Sequence, residues 1–461
     1  MTRQDAITQA HEYADSGALL ADVRRRVAYM TVSAEPWGEA HTRRYFEEEI
    51  RPVLDRMGFS VRVQENPTSP GHPFLFAVRE EPESELTVLT YGHADVQPPQ
   101  EGQWDEGLSP WDLTVDGDRW YGRGTADNKG QHSVNLAVLA QVLEQRQGRL
   151  GYTLKLLLES GEEVGSPGLE AICAEYAEEL SADVFIGSDG PRSLAESPTL
   201  FLGARGMSML RLEADLRETS YHSGNWGGVL ANAGTVLAAA ISSLVDGRGR
   251  IQVEGLLPPA IPQSVRDAVA ALDIATGPSD PPLSAGWGEP ELSPAERLFA
   301  WNTLEVVDFL TGDPGNSVGA IPGKAVATLQ LRFVVGTDEE RICDRVREHL
   351  VAAGLDSVEV TEVARMSATR LDPDNPWVEW ATDSLEKTTG KELALLPNLG
   401  GSLPNRAFAD VLGLPTLWVP HSYPGCAQHA PNEHQLASLS REAMGMMAGL
   451  FWDLGGEDSL R

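Results

Sequence analysis

Cysteine is scarce in this chain: three in 461 residues, at positions 173, 343 and 426. Three thiols build no disulfide framework, so the fold has to be held by its core, and a reducing, cytoplasmic setting is the default. Long apolar runs are missing as well. No stretch approaches the roughly 18 residues that a bilayer crossing needs, so no membrane partner is expected. Residues 1–20 contain Asp5, Glu12 and Asp15 and lack the apolar core of a secretory signal. Positive charge is outweighed, with 36 Lys and Arg against 68 Asp and Glu, for a net charge of −32. Such a field repels nucleic acid and anionic lipid, and neither is expected as a partner. Repeats and low-complexity tracts are absent too. What remains is an ordinary globular composition, 41% hydrophobic and 23% charged, in a chain long enough for two domains.

The most informative stretch begins at Tyr152-Thr153-Leu154-Lys155-Leu156-Leu157-Leu158, an apolar run of strand length. A near-continuous run of this kind predicts a strand buried on both faces of a parallel sheet. It is followed by Glu162-Glu163. Ligands gather at the carboxyl ends of strands in open α/β sheets. There one acid can hold a metal while its neighbour takes a proton from water. Alone, an acidic pair in that place is more often a solvated turn, but the placement recurs.

Strand-like runs at 59–63, 74–79 and 86–91 lead to Gly92-His93-Ala94-Asp95. Residues two apart on extended chain share a side, so Asp95 can support the far nitrogen of His93 while the near one binds metal. Gly122-Arg123-Gly124-Thr125-Ala126-Asp127 precedes a helix over 132–145, with Asp127 either its cap or a carboxylate between two metals. A short strand over 184–187 ends in Ser188-Asp189-Gly190, and another over 416–419 leads to a loop bearing His429. His132, His421 and His434 read as ordinary polar residues. His93, Asp127, Glu163, Asp189 and His429 together form an imidazole and carboxylate set that suits zinc, cobalt or manganese. Five such ligands, one bridging, are enough for two ions roughly 3.5–4 Å apart.

Around these motifs, helical periodicity covers 8–30, 40–57 and 169–180. Residues 204–371 break the alternation: strands at 207–216, 303–310, 325–335 and 358–363, helices at 228–245 and 338–352, and a loop-heavy stretch from 255 to 294. That pattern predicts an α+β domain inserted into a parallel-sheet α/β domain made of 1–203 and 372–461. Past Pro376 the first grammar resumes, with helices at 377–388, 405–412 and 435–453 and a strand at 393–396.

In order along nearly the whole chain, these motifs and His429-Ala430-Pro431-Asn432-Glu433 resemble the M20 co-catalytic metallopeptidases. The resemblance implies an α/β catalytic domain with helices on both faces and an inserted lid and dimerisation domain, hence a homodimer. It assigns His93 and Asp189 to one ion, Glu163 and His429 to the other, and Asp127 to both, with zinc first and manganese or cobalt as the alternatives. Glu162 becomes the general base for a water shared by the ions, Asp95 orients His93, and the peptide between Asp127 and Asn128 is expected to be cis. Tyr221-His222-Ser223-Gly224 resembles the motif whose histidine reaches a neighbouring subunit's site to hold the scissile carbonyl. Arg332 resembles the arginine, and Gly401-Ser402 the loop, that bind the substrate's carboxylate. The implied reaction is hydrolysis of dipeptides or short peptides. The alternative substrate is an N-acyl amino acid, through deacylation or desuccinylation. From another class, a non-enzymatic metal-containing scaffold is argued against by the presence of Glu162 and all five ligands.

Overall fold

The computed structural model describes residues 2–272, 274, 281–313, 315 and 318–456. Part of the loop-heavy stretch 255–294, namely 273 and 275–280, lies outside the described residues. The chain forms two compact units, Met1–Gly203 with Leu371–Leu396 and Pro404–Arg461, and Ala204–Arg370 with Pro397–Leu403.

The first unit is built on an eight-stranded sheet. Its centre is four mutually parallel strands in the order Thr153–Glu159, Thr87–His93, Val184–Gly187 and Thr416–Trp418. Both sheet faces are buried, as the apolar runs predict. Leu154, Leu156 and Leu158 join Val88, Val184, Ile186 and Leu417 in the main core. Tyr91, Phe185, Phe408 and Trp418 pack ring on ring on their own, with centroids of Phe185 and Phe408 4.2 Å apart. Each such side chain, fully buried, contributes about 1.5–3 kcal/mol. Ser60–Gln64 and Phe74–Arg79 extend one edge antiparallel, and Thr199–Phe201 and Ala394–Leu396 extend the other. The register aligns the parallel strands at their carboxyl ends: His93 lies opposite Glu159, and Gly187 opposite Trp418.

The helix Lys129–Gln145 is buried along most of its length, against the Thr87–His93 strand and the helices Arg3–Asp15 and Ala437–Leu454. It starts close under the preceding loop. A Cβ at Gly130 would stand 1.9 Å from the carbonyl oxygen of Thr125, so only glycine permits that approach.

Several elements differ from the sequence pattern in extent. The helix expected over 8–30 is two, Arg3–Asp15 and Ala18–Val27, because Gly17 takes a left-handed φ of 82° between them. The helix expected over 40–57 is interrupted by a π turn at Tyr45–Ile50. The helix expected over 169–180 breaks at Tyr176, and that over 405–412 shrinks to a π turn, Ala407–Val411.

The second unit carries a four-stranded antiparallel sheet in the order Thr303–Thr311, Lys324–Phe333, Gly206–Asp215 and Val358–Met366. Alternate residues of its central strands point into a core shared with the helices Ala233–Leu244 and Ile342–Ala352. The first of these helices starts at Asn232, whose side chain accepts the amide of Thr235, and so is shorter than the 228–245 expected. A short helix, Gln263–Val269, falls within the stretch expected to be loop.

Candidate metal centre

All but one of the ligand candidates of the first unit stand where a strand ends or a helix begins; His429 is on a loop. His93 closes its strand, Glu162 and Glu163 open the turn Glu162–Val164 beyond Thr153–Glu159, and Asp189 follows Val184–Gly187. Asp127 precedes the helix Lys129–Gln145 across a cis peptide to Asn128, as the resemblance implies. His429 sits in the loop beyond Thr416–Trp418 with a left-handed φ of 60°.

These side chains converge. Asp127 presents one carboxylate oxygen to each imidazole, Oδ1 at 2.8 Å from His93 Nε2 and Oδ2 at 3.0 Å from His429 Nε2. His429 Nε2 is also 3.1 Å from Glu163 Oε2, and His93 Nε2 is 3.6 Å from Asp189 Oδ2. The ligand atoms of His93, Asp127 and Glu163 all lie within 4.8 Å of one another, close enough to hold one metal ion. Among the described residues, the only basic side chains within ion-pair distance of Asp127, Glu163 and Asp189 are these two histidines. Buried carboxylates so poorly compensated suit a cation in their chemistry.

Asp95 meets His93 Nδ1 through its backbone carbonyl at 3.1 Å, with its carboxylate at 3.4 Å. That carboxylate accepts the amides of Glu162 and Glu163 at 3.2 and 3.0 Å. The role expected from spacing alone, a carboxylate orienting the imidazole, is thus shared with the carbonyl, and the carboxylate holds the acidic turn.

Four further expected residues belong to the second unit. Arg332 is half-buried, donates from Nη1 to Ser402 Oγ at 2.9 Å, and has no carboxylate within ion-pair distance among the described residues. Gly401 is exposed beside Ser402, whose hydroxyl donates to the carbonyl of Arg205. His222 is exposed, its Nδ1 accepting the amide of Gly224 at 3.1 Å.

A family model described as peptidase family M20/M25/M40 matches residues 89–452. The chain belongs to the M20 peptidases. It is 29% identical over 362 residues to the cysteinylglycine-S-conjugate dipeptidase of Corynebacterium striatum, covering 77% of each chain. Among solved structures it resembles the M20 family metallo-carboxypeptidase Sso-CP2 of Sulfolobus solfataricus, with a TM-score of 0.79, 26% identity, and 94% and 98% of the two chains covered. It also shares the fold of the dipeptidase Dug1p of Saccharomyces cerevisiae, with a TM-score of 0.77, 21% identity and all of both chains covered. No helix among the described residues is long and apolar enough to cross a membrane.

The electrostatics of this M20 site follow from the convergence. Burial and the charge of Asp127 push Glu163 up to about 7 and Asp189 up to about 6. Burial raises Glu162 well above the usual carboxylate range; Asp189, Asp127 and Glu163 push the same way, against the pull of His93. Asp127 goes the other way: burial opposes ionisation, but the hydrogen bonds of His429 and His93 hold it below its ordinary value. Those to Asp127 and Glu163 lift His429 to about 10. His93 is raised, despite its burial, by Asp127 and Asp95.

Several participants went unread in the sequence. Gln97 donates to Glu163 Oε2 at 2.8 Å, and Gln428 donates to Asp127 Oδ2. Asn128 donates to the carbonyl of Ser188 at 2.8 Å, and Glu433 pairs with Arg123 beneath the Asp127 loop. Both glutamines lie just outside motifs already marked, Gln97 two residues past Asp95 and Gln428 beside His429; that adjacency was the available signal. His132 and His421 are fully buried, not ordinary polar residues. His132 Nε2 is 2.5 Å from the hydroxyl of Tyr45. His421 Nε2 is 3.0 Å from Ser188 Oγ and 3.3 Å from Asn135 Oδ1.

Burial and the nearby Arg192 push His421 down to about 3 from an ordinary 6.5. Between those values the unfolded chain binds the extra proton, so stability falls as pH drops from about 6.5 towards 3. A shift of that size is worth on the order of 5 kcal/mol. His421→Gln is therefore expected to flatten the acid limb of stability measured by urea unfolding. An unchanged slope between about pH 6 and pH 4 would show that the folded chain already carries that proton.

Proposed function

We propose that this M20 peptidase hydrolyses the amide bond of dipeptides and short peptides at a centre of two divalent ions. The observation that carries the reading is Asp127, with one oxygen toward His93 and the other toward His429. His93 and Asp189 would hold one ion, Glu163 and His429 the other, and Asp127 both. Zinc fits the donor set first, and manganese or cobalt also fit. When bound, the ions supply Lewis acidity and lower the pKa of a shared water from near 16 to about 7. Glu162 accepts the proton of the attacking water and returns it to the leaving amine. Its place is set by Asp95, which holds the turn through both amides. His222 would steady the carbonyl oxygen as charge develops there.

The relatives' names support dipeptides over N-acyl amino acids. A half-buried Arg332 that donates to Ser402 and has no carboxylate within ion-pair distance among the described residues supports a free substrate carboxylate. Hydrolysis of a dipeptide panel, run beside tripeptides and N-acetyl and N-succinyl amino acids with Zn²⁺, Mn²⁺ or Co²⁺ loaded, tests the reading. Turnover confined to the acyl compounds would overturn it. For Arg332→Met the expected result is a KM about 10–100-fold higher with kcat little changed, the loss of one charge-assisted contact. An unaltered KM would remove Arg332 from substrate binding.

The reading includes a homodimer through the second unit. Val306, Val307, Phe309 and Leu310 are exposed on its edge strand Thr303–Thr311, and Tyr221 and Trp226 flank His222 with exposed rings. Sedimentation of the native protein as a monomer would remove the partner subunit from the site. A cytoplasmic setting, consistent with three free cysteines, belongs to the same reading.

A further inference from the structure

Glu433 is 1% exposed and lies four residues beyond His429. Its carboxylate accepts the amide of Gly124 with both oxygens at 3.0 Å, and Oε1 also accepts those of Ala126 at 2.9 Å and Asp127 at 3.1 Å. Oε2 takes the Nη1 donor of Arg123 at 2.8 Å. A salt bridge serving only to neutralise buried charge would need only the arginine. Here most of the acceptor capacity is spent on the backbone of the loop that ends in Asp127. The backbone of Glu433 adds a further tie, its carbonyl accepting the amide of Gly122 at 3.0 Å.

The loop that supplies this carboxylate needs an external hold. Ala427, His429 and Asn432 all take left-handed φ values, 56°, 60° and 63°, which side-chain-bearing residues rarely adopt without one. One buried side chain thus joins the backbone carrying His429 to the backbone carrying Asp127, whose side chains meet at 3.0 Å. We infer that Glu433 is a positioning residue, fixing the separation of Asp127 and His429 so that both can address one ion.

The inference rests on the metal reading above. Glutamine keeps the shape of Glu433 but offers one acceptor oxygen where the three amides and Arg123 now find two, and it turns an N–H₂ toward donors. In Co²⁺-loaded protein, Glu433→Gln is expected to lower Co²⁺ affinity, measured against a competing chelator, by about 10–100-fold. At saturating Co²⁺ it should alter the visible ligand-field spectrum and lower kcat with KM unchanged. A residue serving only the fold would lower the melting temperature and leave the saturated spectrum as in the wild type; that outcome overturns the inference. If Glu433→Gln does not fold, Arg123→Met/Glu433→Gln leaves no unpaired charge and is read in the same way. Failure of both to fold also overturns it. Wild-type protein that takes up no Co²⁺ would sink the metal reading and this inference with it. An unaltered variant beside a Co²⁺-binding wild type sinks this inference alone.

Discussion

Glu162→Gln is expected to cut turnover about 10³-fold, within the 10²–10⁴ that a positioned proton acceptor contributes, while metal content and KM stay at wild-type values. Gln preserves the shape of the side chain and its backbone amide. That amide, with the amide of Glu163, is what Asp95 accepts at 3.2 and 3.0 Å, so the turn carrying Glu163 is not disturbed. The lost group is the basic oxygen. Among four buried or half-buried acids, Glu162 alone has no imidazole within ion-pair distance; Asp127, Glu163 and Asp189 each have at least one. It is the carboxylate left over once the ligand set is filled, and burial raises it above the ordinary carboxylate value. Steady-state kinetics and elemental analysis on the same preparation decide the matter. Normal turnover would remove Glu162 as the base. Lost turnover with lost metal would make it a ligand, and the roles of 162 and 163 would have to be exchanged.

What could be read from the chain alone was whatever a short window encodes. Tyr152–Leu158 announced a strand through its own composition, and the acids after it, like Asp189 after 184–187, were legible because a polar group closes an apolar run. His93 followed from the same grammar, and His429 from the loop that a strand leads into. Gln97 and Gln428 were not legible, since an amide side chain carries no mark of the carboxylate it will meet. Glu433 and Arg123 were missed for a different reason: their contact joins positions 310 apart, a distance no local pattern spans. His421 looks polar in the sequence and is buried because Ser188 and Asn135 face it from distant segments. Helix ends failed where one residue outweighed a periodicity, as at Gly17, whose left-handed backbone divides one amphipathic pattern into two helices. Pro397–Leu403, assigned by pattern to the first domain, lies with the second unit, where Ser402 bonds Arg205 and Arg332. A loop has no periodicity to say which core it will join.

Asp127→Ala is expected to empty both metal positions in one step. In the assigned set every other ligand serves one ion, so Asp189→Ala or Glu163→Ala should weaken one and spare most of the other's affinity. Asp127 alone faces both imidazoles, at 2.8 and 3.0 Å, and its loss removes the anionic oxygen from each side at once. Turnover should fall by at least about 10³-fold, because the activated water and the polarised carbonyl go together. Stability supplies a second readout. Metal held at about 100 times its Kd stabilises the folded wild type by about 2.7 kcal/mol, so chelation should lower its melting temperature. The variant should show no such drop. The measurement is metal stoichiometry across the three alanine variants beside melting with and without chelator. If Asp127→Ala keeps one ion at full occupancy, Asp127 belongs to a single metal and the bridging assignment falls, whatever happens to activity.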